Sequence, residues 1–166
     1  MKLNKIAFAG AGTTIEHHIK AISDIKNYKI ELSGIFSRTQ LKAKKLKDKY
    51  KIKFLCKDLD ELYKKTKADI LVIVISVENV KNISIEAAKY PWKVFIEKPV
   101  GYNYEETKFI KKKIGKKINN FNIALNRAYY GSTLQLLSEL NKEKSQRVIS
   151  IFDQENFYEN KKLSKY

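Results

Sequence analysis

Short apolar runs alternate with amphipathic segments along most of this 166-residue sequence. The run at residues 69–75, DILVIVI, is almost continuously apolar and rich in β-branched side chains, which is typical of a parallel strand buried on both faces. Four isoleucines nearer the N-terminus recur at intervals of four and three residues, which predicts one buried helical face. They are Ile15, Ile19, Ile22 and Ile25. These patterns predict strands at residues 5–9, 30–36, 53–55, 69–75, 94–96 and 121–125, and helices at about 14–26, 39–50, 59–63, 79–89, 103–115 and 133–140.

The order of these segments, with strands and helices alternating over short connections, predicts an α/β protein built on a doubly wound parallel sheet. Asn103, followed three residues later by Glu106, predicts a capping box at the start of the fifth helix. A last apolar segment at residues 147–157 predicts one further strand.

The basic composition changes this picture little. The formal net charge is +16, but of 34 basic residues only Arg38, Arg127 and Arg147 are arginine. Arginine is preferred where phosphates or base edges need forked recognition, whereas these lysines are spread along the chain at solvent-facing helical positions. We interpret the charge as a solvated surface, and a nucleic-acid-binding protein is the most distant alternative.

Cysteine content and hydropathy bear on the compartment. The single cysteine, Cys56, excludes an internal disulfide framework and fits a reducing compartment, where it serves as a small apolar residue. The longest strongly apolar run, residues 70–77, is too short to span a membrane. The apolar stretch after Met1 resembles a signal peptide only superficially, because it continues into a polar helix. We therefore expect a cytoplasmic protein with no membrane partner.

The first candidate site is the turn after the first strand. Gly10-Ala11-Gly12-Thr13-Thr14-Ile15 matches the first two glycines of the dinucleotide-binding pattern G-x-G-x-x-G, with Ile15 in place of the third. Two glycines also suit an ordinary turn, but the flanking strand and helix favour a pyrophosphate at the helix N-terminus. We predict cofactor contacts at Gly10, Gly12, Thr13, Thr14 and Ile15, and we expect Ile15 to hold the helix slightly off the sheet or to demand a smaller partner.

The end of the second strand reads Ser37-Arg38-Thr39 and lacks the carboxylate that commonly binds the adenosine ribose. Ser37 and Arg38 are suited instead to a 2′-phosphate, Arg38 by charge and by stacking on adenine. An ordinary exposed arginine at a helix start is the alternative. The cofactor is therefore predicted to be NADP or NAD, with NADP modestly favoured.

Glu97-Lys98-Pro99 directly follows the predicted strand at residues 94–96. Open α/β sheets bind ligands at this end of their strands, and an ammonium there can polarise a hydroxyl, or share its proton, as hydride leaves the carbon. Together with Gly10-Ala11-Gly12, His18, residues 36–39, residues 69–75 and Asn126-Arg127, this motif resembles the N-terminal half of the Gfo/Idh/MocA family, the group of glucose–fructose oxidoreductase and inositol dehydrogenase. The order and spacing hold from about residue 5 to residue 127.

The resemblance implies a Rossmann domain at residues 1–127 that binds NAD or NADP and serves oxidation or reduction of a sugar or nucleotide-sugar. It implies a catalytic Lys98 beside the nicotinamide and the reacting hydroxyl, and Glu97 near the nicotinamide ribose. Where the family often has Thr-Pro-Asn and a histidine, this chain has Ile75-Ser76-Val77-Glu78. We expect Ile75 and Ser76 to contact the cofactor and His18 to be a helix or cofactor-side residue rather than a base. No metal is expected.

Members of this family also carry a second domain of similar size, an antiparallel sheet that completes the substrate site. Residues 128–166 resemble only its beginning, a short remnant of an α+β substrate or oligomerisation domain. Arg127 and Tyr129 are candidate substrate contacts, although a tyrosine after a strand more often packs. A lone strand with unpaired backbone groups is unstable in water, so we expect residues 147–157 to be mobile or to pair with another chain, most simply a second copy.

Two functions stay open from the sequence. The chain is either a shortened NAD(P)-dependent oxidoreductase or a truncated, non-catalytic dinucleotide-binding protein that has kept the fold. The intact Glu97-Lys98-Pro99 motif indicates descent from active oxidoreductases and so favours the first function. The missing substrate domain argues against activity in this chain and so favours the second.

Overall fold

The structure, a computed structural model, describes residues 3–142. The chain divides after Asn126 into two units, which are treated separately below. The predicted strand at residues 147–157 lies outside the described residues.

The first unit alternates strands with helices, in the predicted order. Its strands are β1 (Leu3–Ala9), β2 (Lys29–Phe36), β3 (Phe54–Cys56), β4 (Ile70–Ile73), β5 (Lys93–Ile96) and β6 (Phe121–Ile123). Its helices are α1 (Thr13–Ser23), α2 (Gln40–Tyr50), α3 (Leu59–Thr66), α4 (Val77–Ala87) and α5 (Tyr104–Ile114), and a 3-10 turn at Gly115–Asn120 precedes β6. A second 3-10 turn, Asn126–Tyr129, spans the division, and α6 (Gly131–Lys142) lies in the second unit.

The six strands form one parallel sheet in the order β3-β2-β1-β4-β5-β6. This order confirms the predicted doubly wound Rossmann fold. From β1 the chain moves outward through β2 to β3, then returns to the other side of β1 and moves outward through β4 to β6. The connections that leave β1 and β4 therefore run in opposite directions, and they open a crevice at the carboxyl ends of these two strands.

Two hydrophobic clusters cover the two faces of the sheet. On one face, Phe8 of β1 packs with Ile15 and Ile19 of α1. On the other face, Ala7 packs with Leu62 of α3 and Val80 of α4. Neighbouring residues of β1 face opposite sides because side chains alternate along a strand. Helices therefore cover both faces of the sheet, and the site described below lies at the carboxyl ends of its strands.

Cys56 belongs to the second of these clusters and is 1% exposed. Burial raises the pKa of its thiol to about 11, so the group is protonated at neutral pH. As predicted from the sequence, this cysteine serves as an apolar packing residue.

The local helix boundaries differ from prediction at one informative place. The assignment of Ile25 to the buried face of the first helix is wrong, because α1 ends at Ser23 and the Ile25 side chain is 44% exposed. The backbone N–H of Asp24 donates to the carbonyl oxygen of Lys20 at 3.1 Å and closes the last turn. No glycine or proline marks this end in the sequence.

The predicted cap at Asn103 is confirmed. The Asn103 side chain accepts a hydrogen bond from the Glu106 backbone N–H at 2.9 Å. Glu106 returns the interaction one residue further out than a standard capping box, because its carboxylate accepts the N–H of Tyr102 at 2.7 Å. None of the helices among residues 3–142 combines the length and the apolarity needed to cross a bilayer.

Candidate dinucleotide site

A cleft with a volume of about 370 Å³ opens at the carboxyl ends of β1, β2 and β4. The predicted cofactor residues that it brings together are Gly10, Gly12, Thr13, Thr14, Ser37, Arg38, Ile75 and Ser76. Further lining residues, not predicted from the sequence, are Ala11, Phe36, Thr39, Lys42, Val74, Asn79, Asn82 and Ile83. Segments that are far apart in the chain therefore form one concave surface at the switch point of the sheet.

The two glycines of the first turn differ in backbone conformation and in the space around them. Gly10 has a φ of +125°, a region that side chains strongly disfavour, and its N–H donates to the carbonyl oxygen of Phe36 at 2.8 Å. Gly12 has an ordinary extended backbone, with φ −83° and ψ 179°. Apart from Gly12 itself, its chain neighbours and the nearby backbone of its own helix, no atom among the described residues lies within 4 Å of the position that a Cβ on Gly12 would occupy. The space in front of Gly12 is thus open to a close approach by a ligand.

Three helix N-termini meet at the cleft, and their N-cap residues make no side-chain capping hydrogen bond. These residues are Gly12 for α1, Thr39 for α2 and Ser76 for α4. By contrast, the side chains of Asp58 and Asn103 cap α3 and α5, and neither lines the cleft. At α4 the carboxylate of Glu78 accepts its own backbone N–H. The uncapped N–H groups of α1 and α2, together with the positive ends of the helix dipoles, attract anions. The cleft is therefore suited to phosphate groups.

Hydrogen bonds fix the loop after β2. The side-chain amide of Gln40 donates to the carbonyl oxygens of Ser37 at 2.7 Å and of Cys56 at 3.1 Å. The hydroxyl of the buried Ser37 accepts the backbone N–H of Thr39 at 3.2 Å, and its own proton remains available to donate. The exposed Arg38 side chain, held on this fixed loop, forms no ion pair with any residue that the structure describes.

Lys42 adds a second cation to this end of the cleft. The sequence placed it among the solvated surface lysines, but it lies in the first turn of α2, and both it and Arg38, on the loop before that helix, line the cleft. Its position near the helix N-terminus that faces the cleft was the signal that could have found it.

A carboxylate also lies close to Arg38. Hydrogen bonds from the Ser76 hydroxyl and from the backbone N–H of Glu78 itself lower the pKa of Glu78, with a smaller contribution from the Arg38 charge. Glu78 is in the first turn of α4, where the helix dipole also favours a negative charge. At neutral pH it is therefore ionised, and its charge opposes that of Arg38 toward an incoming phosphate.

Ile15 is the one residue of the glycine-rich segment whose side chain turns away from the cleft. It is fully buried between α1 and the sheet, in the cluster that contains Phe8 and Ile35. Its side chain therefore contributes to helix packing, and it does not line the cleft.

Glu97 and Lys98 follow β5, one strand away from the β4 end of the cleft, and they are not among its lining residues. The Glu97 N–H donates to the carbonyl oxygen of Ile73, the last residue of β4, at 3.0 Å. The motif therefore starts beside the end of β4, and the next residue after Ile73 is Val74, which lines the cleft. The Lys98 side chain is exposed, and within residues 3–142 its ammonium has no hydrogen bond or ion pair. The peptide bond between Lys98 and Pro99 is cis.

The Glu97 carboxylate has two partners. One oxygen lies 2.8 Å from Nε2 of His18 in α1, and the other accepts the backbone N–H of Lys98 at 3.0 Å. Sequence reasoning assigned His18 to the helix or the cofactor side but did not pair it with Glu97, which lies 79 positions away.

The candidate substrate residues belong to the second unit. Arg127 and Tyr129 lie in the 3-10 turn Asn126–Tyr129, and the Tyr129 side chain is 77% exposed. The carbonyl oxygen of Arg127 accepts the Thr133 hydroxyl at 2.9 Å, which joins this turn to the first turn of α6. Their contact with substrate stays a prediction.

Solved structures with the same fold include inositol dehydrogenases. Scyllo-inositol dehydrogenase from Lactobacillus casei superposes with a TM-score of 0.74 at 20% identity, over 85% of this chain and 42% of that one. Myo-inositol dehydrogenase from the same organism, in complex with NAD(H) and myo-inositol, gives 0.77 at 17% identity over 85% and 42%. The Corynebacterium glutamicum myo-inositol dehydrogenase gives 0.75 at 21% identity over 85% and 41%.

At these identities the superpositions establish the fold alone, and the chain spans about four tenths of the length of these enzymes. No curated protein matches the sequence significantly. A family model does match: the NAD-binding Rossmann-fold model of the Gfo/Idh/MocA oxidoreductase family covers residues 4–125, which includes the whole cleft and the Glu97-Lys98-Pro99 motif. The resemblance seen in the sequence is thereby confirmed, and this chain belongs to the Gfo/Idh/MocA family of oxidoreductases through its NAD-binding Rossmann domain.

Proposed function

We propose that this chain binds NADP or NAD in the cleft and serves an oxidoreductase that acts on a hydroxyl of a sugar-like polyol, a sugar or a nucleotide-sugar. The observation that carries this proposal is the position of Lys98. Its ammonium, which has no partner among residues 3–142, stands at the end of β5, beside the β4 end of the dinucleotide cleft. The inositol dehydrogenases that share the fold, one of them in complex with NAD(H) and myo-inositol, support a polyol substrate.

The cofactor would lie along the cleft in one direction. We assign the pyrophosphate to the open space before Gly12 and the first turn of α1, which includes Thr13 and Thr14. The adenosine end would face Ser37 and Arg38. The nicotinamide end would pass Ile75 and Ser76 toward Glu97 and Lys98. This arrangement brings the two helix N-termini of α1 and α2 to the two negatively charged parts of the molecule.

Lys98 would act on the proton of the substrate hydroxyl. Bound NAD(P)+ supplies a hydride acceptor, and oxidation of an alcohol requires that the hydroxyl proton leaves as the hydride departs. A neutral Lys98 amine within hydrogen-bond reach of that oxygen would accept the proton and become the ammonium, whereas an ammonium already there could only stabilise the developing negative charge. In the reverse direction the same ammonium returns the proton to the carbonyl oxygen.

Arg38 and Lys42 support NADP as the favoured cofactor. Arg38 lies on a loop without a carboxylate at the end of β2, Lys42 lies in the first turn of α2, and both line the cleft; two such cations suit a 2′-phosphate. Glu78 opposes this preference, because its negative charge lies close to that of Arg38. We therefore expect a modest preference for NADP rather than exclusion of NAD.

Two measurements on the same protein test the proposal. Calorimetric titrations with NADH and NADPH measure the affinity for each cofactor. Absorbance at the nicotinamide band measures turnover with inositols, simple sugars and nucleotide-sugars. Binding with turnover supports the oxidoreductase. Binding with no turnover on any of these substrates supports the non-catalytic dinucleotide-binding alternative, and no binding of either cofactor overturns both.

A second proposal concerns self-association through the C-terminal segment. We propose that residues 147–157 pair with another copy of the chain. The apolar residues Val148, Ile149, Ile151 and Phe152 support this pairing, since such a strand gains hydrogen bonds and apolar contacts only from a neighbour.

A further inference from the structure

We propose that His18 is a positioning residue, which holds the Glu97 carboxylate and through it the backbone of Lys98 at the nicotinamide end of the cleft. The importance of this link for catalysis rests on the proposed function. The contact itself is independent of that function: Nε2 of His18 lies 2.8 Å from a carboxylate oxygen of Glu97, and the two side chains are only 23% and 21% exposed.

A packing contact, in addition to the bond with Glu97, fixes the orientation of the His18 imidazole ring. It packs edge-to-face on Phe95, with ring centroids 5.7 Å apart and an interplanar angle of 73°. Phe95 and Glu97 are two residues apart at the end of β5, so their side chains project on the same side of the sheet. The same ring can therefore pack on one of them and bond the other. Buried Ile15 and Ile19 on either side of His18 fix α1 against this face.

The Glu97 carboxylate uses both oxygens on protein groups. A carboxylate oxygen can only accept, so His18 is the donor through Nε2–H. The second oxygen accepts the backbone N–H of Lys98 at 3.0 Å. One carboxylate thus joins α1, whose N-terminus lines the cleft, to the peptide that carries the proposed catalytic ammonium.

This link relates the two parts of the site that must meet in the reaction. The first turn of α1 is assigned to the pyrophosphate, and Lys98 is assigned to the reacting hydroxyl. A 1 Å displacement between a bound cofactor and a catalytic group can cost about a hundredfold in rate. The His18–Glu97 hydrogen bond is the direct side-chain contact, within residues 3–142, that fixes one relative to the other.

Three variants test the link. His18→Leu removes the donor and keeps the volume. His18→Gln places an amide N–H near the former Nε2 and should restore the bond. His17→Leu is the control, because His17 is the neighbouring, exposed histidine and makes no contact with Glu97. Circular dichroism and thermal melting establish that each variant is folded.

Two readouts go with each variant. The first is hydrogen–deuterium exchange of the Lys98 amide in the free protein, which we expect to accelerate at least fivefold in His18→Leu and to change less than twofold in His18→Gln and His17→Leu. The second is the dissociation constant for NADH compared with that for ADP-ribose, which lacks the nicotinamide. We expect His18→Leu to weaken NADH binding severalfold and to leave ADP-ribose binding within twofold.

The outcomes separate the inference from the proposed function. If the wild-type protein fails to bind NADH, the proposed function is wrong, and Lys98 amide exchange still decides whether His18 holds the motif. Unchanged amide exchange in His18→Leu would overturn the positioning role. If His18→Leu does not fold, His18→Ala, Glu97→Ala and their double variant replace it. In that case unchanged Lys98 amide exchange in His18→Ala, or effects of the two changes that simply add, overturns the inference. Faster exchange in His18→Ala, together with no further effect of this change once Glu97 is replaced, supports it.

Discussion

A Cβ atom on Gly10 would lie 1.9 Å from the carbonyl oxygen of Val74 and 2.9 Å from its carbonyl carbon. The turn after β1 and the residue after β4 are therefore in direct backbone contact at the switch point of the sheet. No side chain fits between them, and neither backbone can move without breaking a hydrogen bond, since the Val74 N–H donates to the carbonyl oxygen of Ala9 at 2.9 Å.

Gly10→Ala is expected to destabilise the fold by about 3 kcal/mol or more, because it adds this overlap to the strain of a φ of +125°. The matched control is Gly12→Ala, whose methyl group meets no atom within 4 Å and whose stability should stay within about 1 kcal/mol of wild type. Urea denaturation measures both. The Gly12 variant should instead lose dinucleotide affinity, and equal stability of the two variants would contradict the prediction.

Arg38→Ala should weaken NADPH binding about tenfold and NADH binding much less, because the lost interaction is a charge-assisted contact to the 2′-phosphate. Calorimetry with both cofactors measures the ratio. Lys44→Ala is the control, because Lys44 lies in α2 two residues after Lys42 and does not line the cleft. A fall of equal size for the two cofactors would assign Arg38 to a phosphate shared by both.

Glu78→Gln should tighten NADPH binding two- to fivefold, because it removes a charge that is ionised at neutral pH and lies close to Arg38. Glu105→Gln is matched to it, since Glu105 is also an acidic residue in the first turn of a helix, but the N-terminus of that helix, α5, does not line the cleft. Titrations at low and at physiological salt add a check, because the gain should shrink as salt screens the repulsion. Weaker binding in Glu78→Gln would mean that the carboxylate binds the cofactor.

Lys98→Ala should abolish any turnover while cofactor affinity stays within about threefold, because its proton is needed in the transition state rather than in docking. Lys93→Ala is the control at the opposite end of the same strand, where Lys93 is also exposed. Initial rates and NADPH titrations on both variants measure the two effects. Retained turnover in Lys98→Ala would remove the lysine from the mechanism.

Deletion of residues 147–166 should leave the first unit folded and lower any self-association. The first unit ends at Asn126 and contains both of the hydrophobic clusters described above, so we expect its core to form without the deleted residues. Light scattering measures the mass of both forms, and circular dichroism measures the fold. Loss of the fold on deletion would show that the segment belongs to the core.

The sequence predicted the parts of the site that lie within one local pattern. Gly10 and Gly12 could be found because a strand, a turn and a helix are adjacent in the chain, and Arg38 because it follows the next strand. Lys42 was missed because a lysine-rich helix gives every exposed lysine the same appearance, and only the cleft distinguishes one of them.

Contacts between distant segments were beyond the sequence. The bond between His18 and Glu97 depends on how α1 packs across β5, which no local pattern encodes. The exposure of Ile25 was missed for a different reason: its spacing fits the helical face, but the helix has already ended at Ser23 without a glycine or proline. Periodicity identifies a face and does not by itself show how far the helix extends along it.

The parallel order of the sheet has a consequence for how the protein is made. In the sheet, β1 lies between β2 and β4. Near the start of β1, the backbone N–H of Lys5 donates to the carboxylate of Asp69, which comes 64 positions later in the chain. At ribosomal rates of roughly 5–20 residues per second, the nascent β1 strand waits several seconds for its second neighbour. During that interval the backbone N–H and C=O groups of β1 on the β4 side have no native partner. The cofactor cleft, which needs the segments after β1, β2 and β4, therefore forms only when nearly half of the chain has been synthesised.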